Sequence, residues 1–338
     1  MINRYAKQER FIGRIGQKQI QEAHVLIIGA GALGSASAEM LTRAGAGKIT
    51  IVDRDYVEWS NLQRQQLYTE RDAVNKLPKV IAAKERLQSI NSEIDIVSWI
   101  MDVNTLNIER IIAGVDLIID ATDNFETRLI VNDAAVKHNK PFVFGACVSS
   151  YGLQFTVIPD KTPCLHCLID HVTNQQMTCD TVGVISPIVQ LVASYQVTQG
   201  LQVITNTFFD PILRSFDIWK GENSAININS LKKKNCLSCG DDRTYPFLSM
   251  NYSTKTDILC GRDAVQIRPA AERHISIQSV YERVQNIISD CVMNSYLLSC
   301  SIDRNRIVLF KDGRAIIHGT NNPDEARALY NKIMQYNT

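Results

Sequence analysis

The sequence predicts an α/β fold with a doubly wound, mostly parallel sheet, followed by a smaller α+β unit. Three observations carry this reading. Short apolar runs alternate with helical patterns through residue 149. A glycine-rich turn, Gly29-Ala30-Gly31-Ala32-Leu33-Gly34, joins the first apolar run to the first of these helices. Two CxxC pairs, Cys164/Cys167 and Cys236/Cys239, follow where the alternation fades. Alternating strands and helices make βαβ units and a parallel sheet covered on both faces. A glycine turn placed between strand and helix is the Rossmann-like arrangement that receives a phosphate at a helix N-terminus. Four thiols in two close pairs suit one tetrahedral zinc ion with no open position for water, and hence a structural role. The expected whole is a Rossmann-like doubly wound sheet with a structural zinc clasp, plus a small C-terminal α+β unit.

The elements follow in order. Residues 24–28 (HVLII) read as a buried parallel strand ending at Gly29. Residues 35–44 are rich in small side chains and read as a helix, stopped by Gly45 and Gly47. Residues 48–53 (KITIVD) form a second strand with an acidic end, and Leu77-Pro78-Lys79 opens a long helix to about Ser89. Strands are expected at 94–100, 115–120 (VDLIID) and 141–145 (PFVFG), with a helix at 126–138. Beyond Ser149, a turn-rich stretch leads into the first CxxC, and residues 170–182 are polar and read as a mobile loop. A helix is expected from Pro187 to Leu201, with Ile188, Leu191, Val192 and Tyr195 on one face, which serves either as core or as an interface. Further on, a hairpin turns at Lys311-Asp312-Gly313, and a helix starts near Pro323.

Composition excludes several classes. The chain has 338 residues, a formal charge of +1 and 45% hydrophobic residues. The balanced charge implies no general attraction to nucleic acid or to an anionic membrane. No apolar run approaches the ~20 residues that span a bilayer, and the polar N-terminus is unlike a signal peptide. Nine cysteines without a leader point to a reducing cytoplasm, with thiols serving metal or chemistry. Cys147, Cys260, Cys291 and Cys300 read as ordinary packing residues.

The polar residues after the second strand narrow the ligand. The glycine turn and Asp53, which can accept hydrogen bonds from ribose hydroxyls, would on their own suit a nicotinamide cofactor and an NAD-dependent oxidoreductase. Asp55, Asn61, Arg64 and Lys79 then place two cations just beyond the strand's carboxyl end, which suits a triphosphate better. Asp123, just past the fourth strand, would face the same crevice and could hold Mg²⁺ against phosphate oxygens. No GxxxxGK[ST] loop is present, so a P-loop ATPase is not expected.

The string Ser60-Asn61-Leu62-Gln63-Arg64-Gln65, the glycine turn, Thr122-Asp123-Asn124 and the two CxxC pairs together resemble the MoeB/ThiF family. These are bacterial relatives of ubiquitin-activating enzymes. The resemblance spans roughly residues 3–240 and sets expected domains at 1–244 and 245–338. It implies an adenylyltransferase that uses ATP with Mg²⁺ on the C-terminal glycine of a ubiquitin-like sulfur-carrier protein. Pyrophosphate is released before a thiocarboxylate forms. The carrier has a Gly-Gly end, and the molybdopterin-synthase small subunit is expected, with the thiamine-pathway carrier as the alternative. The resemblance assigns Gly29, Gly31 and Gly34 to the phosphate turn, with Ala32 where relatives often carry a third glycine. It assigns Asp53 to the ribose, Asn61, Arg64 and Lys79 to the triphosphate, Asp123 to magnesium, and Cys164, Cys167, Cys236 and Cys239 to zinc. Relatives also carry an N-terminal arginine that reaches the neighbouring subunit's ATP. Here Lys7 stands in its place with Arg10 nearby, and a homodimer is implied. Cys179 matches a cysteine that some relatives link covalently to the carrier. No sulfur-donor domain is visible in the tail, so a separate donor protein is expected.

Overall fold

Helix α1 (Ala6–Glu22) leads into strand β1 (His24–Ile28), helix α2 (Ala32–Ala44) and strand β2 (Lys48–Asp53). This is a computed structural model, and it describes residues 4–172, 182–207, 210–249, 256–259, 263–269, 274–285, 288, 290–302 and 304–335. The chain continues through α3 (Glu70–Val74), α4 (Lys79–Ile90), β3 (Asp95–Ile100), α5 (Ile108–Ile111), β4 (Leu117–Asp120), α6 (Phe125–Lys137) and β5 (Phe142–Val148). Then follow β6 (Tyr151–Val157), α7 (Leu165–Val172), α8 (Ser186–Ile204), β7 (Ile212–Asp217) and β8 (Glu222–Asn227). By packing, Met1–Asp72 and Pro78–Tyr252 form one unit, and Ala73–Leu77 groups with Ser253–Thr338 in another.

The first unit holds an eight-stranded sheet in the order β3-β2-β1-β4-β5-β6-β7-β8. β3, β2, β1, β4 and β5 pair in parallel, and β6, β7 and β8 extend the sheet antiparallel. All four residues of β4 are buried, as a strand covered on both faces requires. Strand order reverses between β1 and β4, so the crevice at their carboxyl ends is the topological switch point where such sheets bind ligands. Core side chains include Leu26, Ile28, Ile118, Phe142, Phe144 and Phe155. Ile188 and Val192 of α8 are buried in one cluster with Leu33 and Ala36 of α2. That face of α8 is therefore core.

Local signals explain the helix ends. Gly45 ends α2 in the left-handed region at φ 90° and donates its N–H to Leu41 and Thr42 carbonyls. Asn124 caps α6 by accepting the Thr127 N–H. Gly13, at φ 77° and ψ 163°, kinks α1. Three strands of this sheet, β6, β7 and β8, went unread in the sequence. β6 is largely buried but interrupts its apolar residues with Gly152, Gln154 and Thr156, and β8 is a largely exposed edge strand, so neither reads as the continuous apolar run of a central parallel strand. The expected loop begins as helix α7, while Cys179 lies outside the described residues.

The second unit carries β9 (Thr256–Leu259), β10 (Ala264–Ile267), α9 (Ile277–Val284), β11 (Val292–Met293), β12 (Leu297–Ile302), β13 (Asn305–Phe310), β14 (Ala315–His318) and α10 (Pro323–Met334). Its antiparallel sheet runs β11-β12-β13-β14-β10-β9. Ile277, Val280 and Val284 of α9, and Ala326 and Ile333 of α10, share a core with Val265, Leu298, Ile307, Leu309 and Ile317 from the strands. Asn322 caps α10 by accepting the Asp324 and Glu325 N–H groups. One expectation is corrected here. Cys291 and Cys300, read as packing thiols, are joined as a disulfide. The antiparallel register that pairs Val292 with Ser299 sets these two cysteines opposite each other. No helix among the described residues is long and apolar enough to cross a membrane.

Candidate active site and cysteine clasp

The glycine turn is dictated by close backbone approach at the switch point. Gly29 follows β1 with φ 96° and donates its N–H to Val52 O at 2.8 Å. A Cβ on Gly29 would lie 2.5 Å from Ala121 O, and one on Gly34 would lie 1.8 Å from Gly29 O. No side chain fits at either position. Gly31 differs, because the single atom near its added Cβ is Gln65 Nε2 at 3.9 Å. The chain itself does not fill the space beside Gly31, at the N-terminus of α2, where unpaired N–H groups and the helix dipole favour an anion. Ala32 opens α2 in helical conformation, so its methyl is accommodated.

A connected set of side chains lies on the β2 side. The Asp53 carboxylate accepts the Ala30 N–H and the Asp55 N–H, each at 2.6 Å. Desolvation raises the Asp53 carboxyl above its ordinary range, with Lys79 opposing and Asp55 adding to the rise. Lys79 Nζ lies 3.2 Å from Asp55 Oδ2, and the Lys79 N–H donates to Asp55 O at 3.0 Å. Tyr68 donates its hydroxyl to Ala30 O at 2.5 Å, tying the turn to the segment beyond β2.

Asn61 and Arg64 belong to that segment. Trp59–Asn61 is a 3₁₀ turn closed by a reciprocal cap, in which buried Asn61 accepts the Glu58 N–H at 3.0 Å and the Glu58 side chain accepts the Asn61 N–H. Half-buried Arg64 donates from Nη1 to Ser60 O at 2.9 Å. Gln65, not read as a site residue in the sequence, is 3% exposed, and its Oε1 has no hydrogen-bond partner among the described residues. With its Nε2 beside Gly31, it is a polar group buried at the edge of the open space. Buried polar groups ordinarily find partners, so an orphaned acceptor here fits a ligand site.

On the β4 side, Asp120 is fully buried and pairs with Arg128, Oδ2 to Nε, at 3.3 Å. Its Oδ1 accepts the Thr122 N–H at 3.0 Å and hydroxyl at 2.7 Å. Burial raises the Asp120 carboxyl, opposed chiefly by Arg128. Arg128 also donates to Thr122 O at 2.6 Å and lies over the Phe125 and Phe144 rings. This pair, which sequence reasoning missed, fixes the loop after β4. Asp123 on that loop is exposed, two residues past the Ala121 carbonyl that approaches Gly29. The fold thus gathers Gly29, Gly31, Gly34, Asp53, Asp55, Asn61, Arg64, Lys79 and Asp123 around one end of the sheet. Lys7 and Arg10 are exposed on α1, and no contact joins them to this network among the described residues.

The four clasp cysteines meet as the spacing implies. Cys164, Cys167, Cys236 and Cys239 are all buried, and their sulfurs lie within 4.8 Å of one another. Cys164 Sγ is 3.7 Å from Cys236 Sγ, and Cys167 Sγ is 3.4 Å from Cys239 Sγ. Tetrahedral Zn–S bonds of ~2.3 Å require sulfurs at about this separation. The donor set is all thiol, and thiols this close cannot all ionise without a cation between them. The residues therefore fit zinc. Leu165 donates its N–H to Asn132 Oδ1 at 2.8 Å, and His166 Nδ1 lies 2.8 Å from Ser238 Oγ, fastening the clasp to α6 and across its two halves.

A doubly wound sheet with its glycine turn and its acid–lysine set at the switch point, closed by a four-cysteine clasp, defines the class. The chain belongs to the ThiF family, whose model matches residues 5–238. It is 53% identical over 334 residues to the sulfur carrier protein ThiS adenylyltransferase of Bacillus subtilis, covering 98% of this chain and 99% of that protein. It is 33% identical over 254 residues to the sulfur carrier protein adenylyltransferase of Thermus thermophilus, covering 72% of this chain and 92% of that one. Among solved structures, that of Escherichia coli MccB superposes with a TM-score of 0.63 at 22% identity, covering 72% of this chain and 74% of MccB, and shows the shared fold.

Proposed function

We propose that this chain adenylates the C-terminal glycine of the thiamine-pathway sulfur carrier. The observation that carries this is the 53% identity to the Bacillus ThiS adenylyltransferase, which runs over 98% of the chain and so takes in the second unit as well as the site. Membership of the ThiF family and the names of both relatives make the chain a sulfur-carrier adenylyltransferase, and the carrier is the finer part of the proposal. The sequence expectation placed the molybdopterin-synthase subunit first, and that order is corrected. The sequence motifs serve either carrier, whereas the whole-length similarity to the Bacillus protein favours the thiamine-pathway carrier. The oxidoreductase alternative is not retained, since the relatives are adenylyltransferases.

In this reading the carrier's carboxylate oxygen attacks the α-phosphorus of ATP, the bond to the β-phosphate bridge breaks, and pyrophosphate leaves with the charge. The reaction needs positioning and charge stabilisation rather than a protein nucleophile. Gly31 leaves room for phosphate at the start of α2, and Asp53 offers acceptor capacity to the ribose. Asn61, Arg64 and Lys79 neutralise and orient the triphosphate, and Gln65 supplies its buried acceptor. Asp123 would hold Mg²⁺, which screens phosphate charge when bound. Cys164, Cys167, Cys236 and Cys239 would hold a structural zinc. A homodimer with Lys7 or Arg10 crossing between subunits, a separate sulfur-donor protein and a cytoplasmic setting complete the reading. So does a division into an adenylating part (1–244) and a C-terminal part (245–338). Cys179 would act only after adenylation.

The test is ATP–pyrophosphate exchange by the full chain with the thiamine-type carrier, the molybdopterin-type carrier, and each lacking its last glycine. Exchange with the intact thiamine-type carrier alone is expected. Exchange with only the molybdopterin-type carrier reverses the assignment, and exchange with none removes it.

A further inference from the structure

Asn132 and Asp133 are neighbours on α6, and both are fully buried beside the cysteine clasp. A carboxylate taken out of water is costly unless donors meet it. Three donors meet Asp133. Its Oδ2 accepts the Phe247 N–H at 2.9 Å, its Oδ1 accepts Asn132 Nδ2 at 3.2 Å, and the Ser238 hydroxyl hydrogen-bonds the same carboxylate. The Asn132 amide is used at both ends, since its Oδ1 accepts the Leu165 N–H at 2.8 Å.

These partners fall inside the two CxxC pairs. Leu165 and His166 lie between Cys164 and Cys167, and Ser238 lies between Cys236 and Cys239. Ser238 has one hydroxyl proton to give. With that proton on the Asp133 side, its oxygen accepts from His166 Nδ1, 2.8 Å away, which assigns the ring proton to Nδ1. The His166 ring meets the Phe247 ring edge to face, with centroids 4.9 Å apart. Asp133, Ser238, His166 and Phe247 therefore close a circuit in which each holds the next. The two CxxC pairs lie 72 residues apart in sequence. A metal that had to gather them from a loose chain would meet the cost of closing that loop itself. Here one helix meets it in folding: Asn132 holds the first pair through Leu165, and Asp133 holds the second through Ser238.

We propose that Asn132 and Asp133 are positioning residues for the metal clasp. They seat its two halves so that the four sulfurs stand at metal-binding separation, and the circuit through Ser238, His166 and Phe247 sets how tightly the metal is kept. Groups that orient ligands from behind tune metal affinity without touching the ion. The metal named rests on the zinc reading of the four thiols, while the seat itself rests on the hydrogen bonds.

The experiment competes a chromogenic zinc chelator against the full chain, comparing the parent with Asp133→Asn, Ser238→Ala and the two together. Asp133→Asn keeps an oxygen for the Phe247 N–H but takes the charge from Ser238, and Ser238→Ala cuts the link to His166 as well. Lys137→Ala, an exposed change on the same helix, is the control. The Kd for zinc should rise about tenfold in each single variant. The double variant should be little weaker than either, because both break one link. With Co²⁺ in place of zinc, the thiolate absorption bands should keep the parent's wavelengths, so that affinity falls while the four ligands stay the same. A parent-like Kd in Ser238→Ala overturns the inference, and that variant decides alone should Asp133→Asn not fold. An equal loss in Lys137→Ala, or shifted cobalt bands, also overturns it, since the effect would then be general unfolding or a lost ligand. Losses that multiply in the double variant remove the circuit. A parent that takes up neither metal fails the zinc reading instead, and the proposal with it.

Discussion

The Lys79 ammonium lies 3.2 Å from Asp55 Oδ2, with the two side chains only 3% and 12% exposed. A cation withdrawn from water at the carboxyl end of β2 has a structural duty as well as any duty toward phosphate. The two can be separated. Removing one partner of a buried pair strands the other charge and costs about 3–5 kcal/mol, whereas replacing both with neutral groups of similar shape is nearly free. Lys79→Met should therefore lower the unfolding free energy by about that amount. The double change Lys79→Met with Asp55→Asn should recover most of the stability. Neither variant should support pyrophosphate exchange. Denaturant unfolding beside the exchange assay checks this, and a double variant that regained activity would remove Lys79 from the chemistry.

The glycine turn makes a second separation. An added Cβ at Gly34 would meet the Gly29 carbonyl at 1.8 Å, a backbone atom that cannot swing aside, whereas one at Gly31 meets only Gln65 Nε2 at 3.9 Å. Gly34→Ala should fail to give folded protein or unfold many degrees early. Gly31→Ala should melt with the parent but bind ATP on the order of tenfold more weakly, about 1.4 kcal/mol, because its methyl occupies the space offered to phosphate. Calorimetric titration with ATP after a melting comparison distinguishes the two. Parent-like ATP affinity in Gly31→Ala would place the phosphates elsewhere.

What was legible in the sequence was what depends on local pattern. The parallel strands showed because burial on both faces makes continuous apolar runs, and HVLII and VDLIID became β1 and β4. The glycines and the two CxxC pairs showed because short spacings carry geometry directly. What stayed hidden depends on partners distant in sequence. The Asp120–Arg128 pair is recognisable only once β4 and α6 are folded together, and Gln65 only once its segment lies beside Gly31. The Cys291–Cys300 bond needed the β11–β12 register, and β8 is an exposed edge strand with little apolar signal to read.

The cysteine clasp should be separable from the chemistry. Its sulfurs bring together a loop with the start of α7 and a segment 72 residues further on, so a metal there closes a long loop. Metal analysis of the purified chain should return one zinc per chain. Cys239→Ser should lose it and melt earlier, since metal binding and folding are linked. At a temperature where that variant remains folded, its KM for ATP should match the parent's. A raised KM with intact folding would mean that the clasp shapes the nucleotide crevice directly.

The bond between Cys291 and Cys300 makes the last prediction, one that the reducing-cytoplasm expectation would not make. Peptide mapping after alkylation in denaturant without reductant should find Cys147, Cys164, Cys167, Cys236 and Cys239 labelled, and Cys291 and Cys300 labelled only after reduction. The bridge closes a loop with a sequence separation of 9. On a chain-entropy account, closing so small a loop restricts the unfolded state by about 2.5 kcal/mol. Reduction, or Cys291→Ser with Cys300→Ser, should lower the stability of the second unit by up to that amount. The unfolding of the first unit should not change, because the bridge constrains only the chain between β11 and β12. Labelling of Cys291 and Cys300 without reductant would show that the pair stays reduced, and the stability difference between reduced and untreated protein would then vanish.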